Sequence, residues 1–306
     1  MSTQIQDPGR TRIGIAFCVG AFVLFASQDA ITKVLVRDLS VPQILTIRFW
    51  GFAAFAMFWA AWRIGLRNAI ATRRPALQIG RSALLIVEIA VMTLGFRYLA
   101  LADMHAIFAM FPLIVTALAG PMLGEHVGWR RWAAVGIGCI GPLIILRPGT
   151  GVFQIAVLLP VGAAVLWALY NILTRLASRT DPFETSLFYT GIIAALLITP
   201  LGMHNWQPPT TGQWPLLLAL VFVGTLSHLL LILALSYVEA ATLQPFSYLL
   251  LVFATIMGAV FFDEFPDLWT VTGALIVVGS GLYVIWRERS LARRKVVERP
   301  LPRRPI

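Results

Sequence analysis

The sequence predicts an all-α integral membrane protein, ten transmembrane helices built as two inverted five-helix repeats. Three observations carry that expectation. Hydrophobic residues make up 58% of the 306-residue chain and charged ones only 12%, with a mean hydropathy of +0.81, outside the balance of a water-soluble domain. Apolar runs long enough to cross about 30 Å of hydrocarbon recur along the chain. The second half of the chain repeats the first.

Taken in order, the spans of the first half are Ile13–Leu35, Ile44–Trp62, Ala83–Leu101, Ala106–Leu123 and Trp132–Leu146. Those of the second are Val152–Leu173, Leu187–Met203, Trp214–Leu235, Ala240–Phe262 and Leu268–Trp286. The first run follows two arginines, as a secretory signal would, but it continues through Asp29 and Lys33 to Leu35 and the span count needs it. The third contains Glu88, and the fifth is short and carries Gly136, Gly138, Gly141 and Pro142; both fit between charged loops. Close helix contacts are expected at the small residues of Gly136 to Gly141.

Basic residues orient the spans. With both termini in the cytoplasm, 19 of the 24 lysines and arginines lie inside, Lys33, Arg37, Arg97 and Arg147 lie outside, and Arg48 lies within a span. The net charge of +10 is then a topology signal, and no nucleic-acid partner is expected; the basic tail reads as an anchor beside anionic lipid. The division is a cytoplasmic segment 1–12, repeats 13–147 and 152–287, and a basic tail 288–306. Cys18 and Cys139 both fall inside spans, so no disulfide, metal site or cofactor is expected.

The repeat is visible residue by residue. At an offset of 139, Tyr98 falls on Tyr237, His105 on Gln244 and Glu125 on Glu264. At 140, Trp129 falls on Trp269, Gly141 on Gly281 and Arg147 on Arg287; at 142, DAITK (29–33) falls on NILTR (171–175). Five spans per half is an odd number, so the second copy is inverted. The two Glu-bearing turns, LGEHVGWRRW and FFDEFPDLW, then face opposite sides. The inward copy carries Arg130 and Arg131; the outward copy has no base and carries Asp263, Glu264 and Asp267. Each repeated glutamate is expected at a helix end, capping a neighbouring N-terminus.

Two five-span halves, each closing on a Glu-containing turn, resemble the EamA-type carriers of the drug/metabolite transporter superfamily. DAITK, the TIRF around Arg48, PMLGE and the FxDEFPD turn are similar to the branch with bacterial riboflavin and S-adenosylmethionine uptake carriers. The resemblance covers nearly all of residues 13–287. It implies a secondary transporter of the bacterial inner membrane that moves a small organic metabolite by alternating access around a cavity between the halves. A flavin or an S-adenosylmethionine-like cofactor is the first expectation for the solute, and export of amino acids or related metabolites the alternative. The absence of a G-x-x-x-x-G-K-[ST] phosphate loop agrees with a carrier that hydrolyses no nucleotide. Substrate in such inverted repeats sits near the bilayer midplane, where they meet. Either a monomer or a homodimer is compatible with the chain.

Ionisable residues in hydrocarbon mark candidate sites, because each costs several kcal/mol unless paired or wetted. Asp29 lies 17 residues beyond Arg12 and Arg48 lies 15 before Arg63, which places both at about the same depth. An Asp29–Arg48 pair is the plainest expectation, with Lys33 one turn away; a structural pair and a substrate contact are both open. Glu88 and His228 match in depth as well, and a Glu/His pair binds a proton reversibly, so protons are a candidate coupling ion; a hydrogen bond joining spans three and eight is the alternative. Trp167 and Tyr170 share a helix face beside Asn171, and Tyr248 stands one turn after Gln244, which suits stacking on a flat ring if these faces do not simply meet lipid or core. His105, His126 and His204 fall near span ends and need no special role. Two other classes were weighed. A membrane-embedded enzyme needs a catalytic set at one membrane face, and no two histidines share a turn here. A receptor needs neither buried charge in both halves nor a duplicated unit.

Overall fold

A computed structural model describes residues 8–123, 128–146, 155–204, 206–238 and 243–297. All regular structure among them is helical. The first half contains α1 (Pro8–Leu35), α2 (Val41–Arg63), the short α3 (Leu66–Ile70), α4 (Pro75–Gly95), α5 (Leu101–Phe108), α6 (Phe111–Leu123) and α7 (Trp129–Leu146). The second contains α8 (Leu158–Ala177), α9 (Phe183–Met203), α10 (Gln213–Tyr237), a 3-10 turn (Gln244–Tyr248), α11 (Leu249–Phe262) and α12 (Leu268–Val297). Nine helical stretches among the described residues are long and apolar enough to cross a membrane. The fifth expected span is helical within α7, but that helix opens on Trp129, Arg130, Arg131 and Trp132 and is not one of the nine.

Helix ends follow local chemistry. The Ser40 hydroxyl accepts the Gln43 N–H at 3.4 Å, and Pro42 sits in the first turn of α2, where its missing N–H costs nothing. Asp263 ends α11 in the left-handed region (φ 56°), and the Glu264 N–H closes back on Gly258 O at 3.0 Å. Asp267 then caps α12, its Oδ1 accepting the Thr270 N–H at 2.8 Å. The acids of FFDEFPDLW are therefore more than markers of one side: two of them shape the turn.

One expected boundary moves. The run Ala83–Leu101 is not one span, because α4 ends at Gly95 and a new helix starts at Leu101. The fourth span consequently begins earlier and is broken at Ala109 and Met110, between α5 and α6, just before Pro112. At the repeat offset of 139, this break falls on Tyr248 and Leu249, where the 3-10 turn gives way to α11. Both copies interrupt the same helix at the same place.

Packing obeys the repeat. With α8 as the mate of α1, α9 of α2, α10 of α4, α11 of α6 and α12 of α7, each major contact has its image. The α1 helix packs on α10 and α8 on α4; α1 meets α11 and α8 meets α6; α2 packs on its own mate α9, and α7 on α12. Gly141 and Gly273 bring α7 and α12 to backbone contact, each leaving 2.5 Å between a would-be Cβ and the other's carbonyl oxygen. From the small-residue run, Gly138 also packs closely, against Leu113 and Ser280, whereas Gly136 faces open space. The core runs between the halves, with Ala26 of α1 and its repeat mate Ala168 of α8 both fully buried.

Candidate functional site

Four of the ionisable residues singled out above meet inside the bundle. Asp29 comes from α1, Arg48 from α2, Glu88 from α4 and His228 from α10. Arg48 lies in the electrostatic field of both Asp29 and Glu88, and His228 in the field of Arg48. They form one cluster rather than the two dyads expected. Asp29 pairs with His105, Oδ2 to Nε2 at 3.1 Å, an ion-pair approach without hydrogen-bond alignment, and not with Arg48. His228 donates from Nδ1 to Gly224 O at 2.7 Å and packs against Phe25 and Phe52, so it does not bond Glu88.

Two members are left without a protein partner. Among the described residues Arg48 makes no ion pair or hydrogen bond; its guanidinium only approaches the Phe49 ring, at 5.8 Å. Glu88, 3% exposed, makes none either. Beside them Gln28 buries an Oε1 atom that has no donor. Buried polar groups are normally satisfied within the fold, and a buried charge without a partner, as at Glu88, costs several kcal/mol; Arg48 is half-buried. A guanidinium, a carboxylate and an amide with free valences have the chemistry to receive a polar group.

An aromatic shelf adjoins the helix break. Trp167 and Tyr170 lie 5.3 Å apart, and Trp167 meets Phe108 and Phe111, the residues flanking the break, at 6.2 and 6.3 Å. Asn171 is turned back on its own helix, its Nδ2 donating to Trp167 O at 2.7 Å. Tyr248 is buried against Gly281 with no acceptor or donor at its hydroxyl. The backbone of Gln244 opens the 3-10 turn, but its side chain lies outside the described residues, as do Glu125 and His126.

Polar ties join the repeats at both ends of the bundle. At the end carrying Lys33, Glu264 bonds the Lys33 ammonium at 2.5 Å and accepts the Leu101 N–H at 3.1 Å, capping α5 as expected for this glutamate. Lys33 also donates to Leu99 O at 2.7 Å, and the Thr270 hydroxyl donates to Asp103 at 2.7 Å. At the opposite end Arg81, 1% exposed, directs all five N–H groups at acceptors: Gln78 and the Tyr170, Thr174 and Thr190 hydroxyls, together with Ser186 O. Gln78 relays to Asp181 at 2.7 Å, which Thr72 also bonds.

Sequence reading missed His105 and Arg81. Extending the third span to Leu101 pushed His105 to a helix end, although its repeat mate Gln244 had been singled out. Arg81, placed in a loop by charge alone, is instead locked in α4.

Asp181 lies in the turn between α8 and α9. Burial there raises its carboxyl pKa, but hydrogen bonds from Gln78, Thr72, the Arg73 backbone and Thr180 outweigh that and hold it below the usual value. Its stabilisation is therefore fully present above about pH 4 and lost as pH falls through the depressed pKa. Thermal melting should show Asp181→Asn less stable than wild type by about 1.5–3 kcal/mol at neutral pH, the range for a hydrogen bond to a charged group, with the gap closing in acid. A pH-independent gap would contradict the ionised form.

Comparison with known proteins agrees with this architecture. The chain is 29% identical to the S-adenosylmethionine uptake transporter of Rickettsia prowazekii over 276 residues, 90% of this chain and 93% of that protein. It is 32% identical to the riboflavin transporter of Vibrio cholerae over 241 residues, 76% of this chain and 78% of that one. A solved crystal structure shares the fold with a TM-score of 0.61 over 92% of this chain and 98% of the other, at 18% identity. The EamA-like transporter family matches twice, over residues 12–147 and 154–286. Matched in both halves over most of its length, the chain belongs to the EamA-like transporter family.

Proposed function

We propose that this secondary transporter carries a small zwitterionic or cationic metabolite bearing a flat ring, with S-adenosylmethionine the first candidate, across the bacterial inner membrane. The observation that supports this most is the cluster of Asp29, Arg48 and Glu88, in which Arg48 and Glu88 make no ion pair or hydrogen bond among the described residues. An amino-acid carboxylate suits Arg48, an ammonium or sulfonium suits Asp29 and Glu88, and an adenine suits the shelf of Phe108, Phe111 and Trp167. Riboflavin is the second reading: its ring suits the same shelf, but it offers no charge to the cluster. Amino-acid export needs the same charged groups without the shelf.

The basic residues orient the bundle with both termini in the cytoplasm, the Lys33 end outside and the Arg81 end inside. Alternating access then requires the tie at Glu264 and the tie at Arg81 to release in turn, with the paired helix breaks as points of bending.

Glu88 is our candidate for the proton-binding group of a proton-coupled cycle. Glu88→Gln should abolish stimulation by a pH gradient while solute exchange without a gradient persists; accumulation with normal proton dependence in that variant would assign Glu88 a structural role.

The test of the whole reading is transport by the purified protein in liposomes, against labelled S-adenosylmethionine, riboflavin and amino acids, in both directions, with and without a pH gradient. Saturable S-adenosylmethionine movement that unlabelled riboflavin does not inhibit is expected. Riboflavin movement alone would overturn the charge argument.

A further inference from the structure

A cleft of about 860 Å³ that none of the cluster residues lines opens on the outer surface of the bundle between α4 and α9. Its wall on α4 runs from Ala83 through Val87, Ala90 and Val91 to Leu94, the face opposite Glu88. Leu197 and Leu201 of α9 form the other wall, and Val87, Leu197 and Leu201 are exposed. Eleven residues of helix rise about 16 Å, close to half of the roughly 30 Å hydrocarbon thickness. The apolar part is thus as long as one leaflet is deep.

Its polar end lies at the Lys33 end of the bundle and is lined by Asp38, Ser40, Arg97 and Gln207. Arg97 is fixed there by hydrogen bonds from Nε and Nη2 to Val36 O, at 2.9 and 2.7 Å, and from Nη2 to Leu39 O at 3.2 Å. These leave Nη1 without a protein partner. Asp38 accepts only a long contact from Gln213, 3.4 Å to Oδ2, which leaves Oδ1 open.

We infer that this cleft is a binding site for one phospholipid with a zwitterionic headgroup that carries a primary ammonium, of the phosphatidylethanolamine type. One acyl chain lies along α4 and α9, the phosphate meets Arg97 Nη1, and the ammonium meets Asp38 Oδ1. An anionic headgroup without an ammonium satisfies Arg97 but faces the Asp38 carboxylate uncompensated. The paired opposite charges are what single out this lipid class from the bilayer around it.

The test uses the full-length protein in phosphatidylcholine bilayers doped with phosphatidylethanolamine or phosphatidylglycerol, each carrying a photoreactive diazirine in the acyl chain. Labelled positions are mapped by mass spectrometry. Phosphatidylethanolamine should label the cleft around Val87, Val91 and Leu201 about fivefold more than phosphatidylglycerol, the ratio expected from one exposed charge contact. Asp38→Lys should reverse the preference. Ala90→Trp, which fills the cleft, should remove labelling there and leave labelling at Ile137 and Leu275, on the exposed surfaces of α7 and α12, unchanged. Equal labelling of the cleft by both lipids in the wild type, or a preference that Asp38→Lys does not move, would mean annular lipid only and overturn the proposal. The wild-type ratio decides the matter even if Ala90→Trp does not fold.

Discussion

Arg48→Gln is expected to reduce transport by at least about 30-fold, the lower end of the 2–5 kcal/mol that loss of a buried charge partner costs, while the protein still reaches the membrane folded. Both halves of that expectation follow from the geometry. The guanidinium makes no ion pair or hydrogen bond that holds helices together, so the fold loses little when it goes. The positive charge that it places in the field of Asp29 and Glu88 has no substitute. Exchanging the charges, Asp29→Arg with Arg48→Asp, is not expected to restore activity, because Asp29 rests on His105 and an arginine there would face an imidazole. Recovery by the exchange would show that Asp29 and Arg48 act as a simple pair. Uptake rates with surface-expression controls measure both outcomes.

Glu264→Ala is expected to have the largest effect on stability, about 3–5 kcal/mol, because it removes the counter-ion of a buried ammonium and uncaps α5 together. Lys33 keeps Leu99 O, the Phe262 ring 5.3 Å away and the field of Asp103. A double-mutant cycle separates the contributions: Lys33→Met combined with Glu264→Gln should cost less than the sum of the single changes, since no unpaired charge remains. Thermal melting in detergent measures this, and strict additivity would contradict the tie. In transport, releasing the tie should bias the carrier toward opening at the Lys33 end, seen as faster alkylation of a cysteine placed at Asp29 by an impermeant reagent added on that side.

The architecture was legible in the sequence because burial in lipid writes itself into composition: long apolar runs, few charges, and a repeat that made α8 the image of α1. Depth was legible only in part: 1.5 Å per residue sets Asp29 and Arg48 level with each other, but counting Glu88 from Arg81 places it too near the inner surface, because α4 begins at Pro75 and Arg81 is itself buried. Depth is one coordinate. Which residues meet at a given depth depends on the rotation of each helix and on its neighbours, and there the expected dyads gave way to a cluster in which Asp29 turns to His105. The break between Gly95 and Leu101 was hidden because FRYLA is apolar enough to continue a span, and that one boundary misplaced His105. Arg81 escaped notice for the opposite reason: charge counting treats an arginine near a span end as loop, whereas five acceptors on α4, α8 and α9 make its burial affordable. The acidic turn was partly readable, with Asp267 three residues before Thr270 giving the N-cap pattern of α12.

The central claim is that the buried charge cluster is where the transported solute binds. Equilibrium binding of labelled S-adenosylmethionine to purified wild-type and Arg48→Gln protein in detergent, with melting temperatures taken on the same samples, tests it without dependence on coupling or orientation. Saturable binding in the wild type, a loss of at least about 30-fold in affinity for the variant and closely similar melting temperatures are predicted. Equal affinity in the two proteins, or a variant that binds poorly only because it no longer melts cooperatively, would contradict the account.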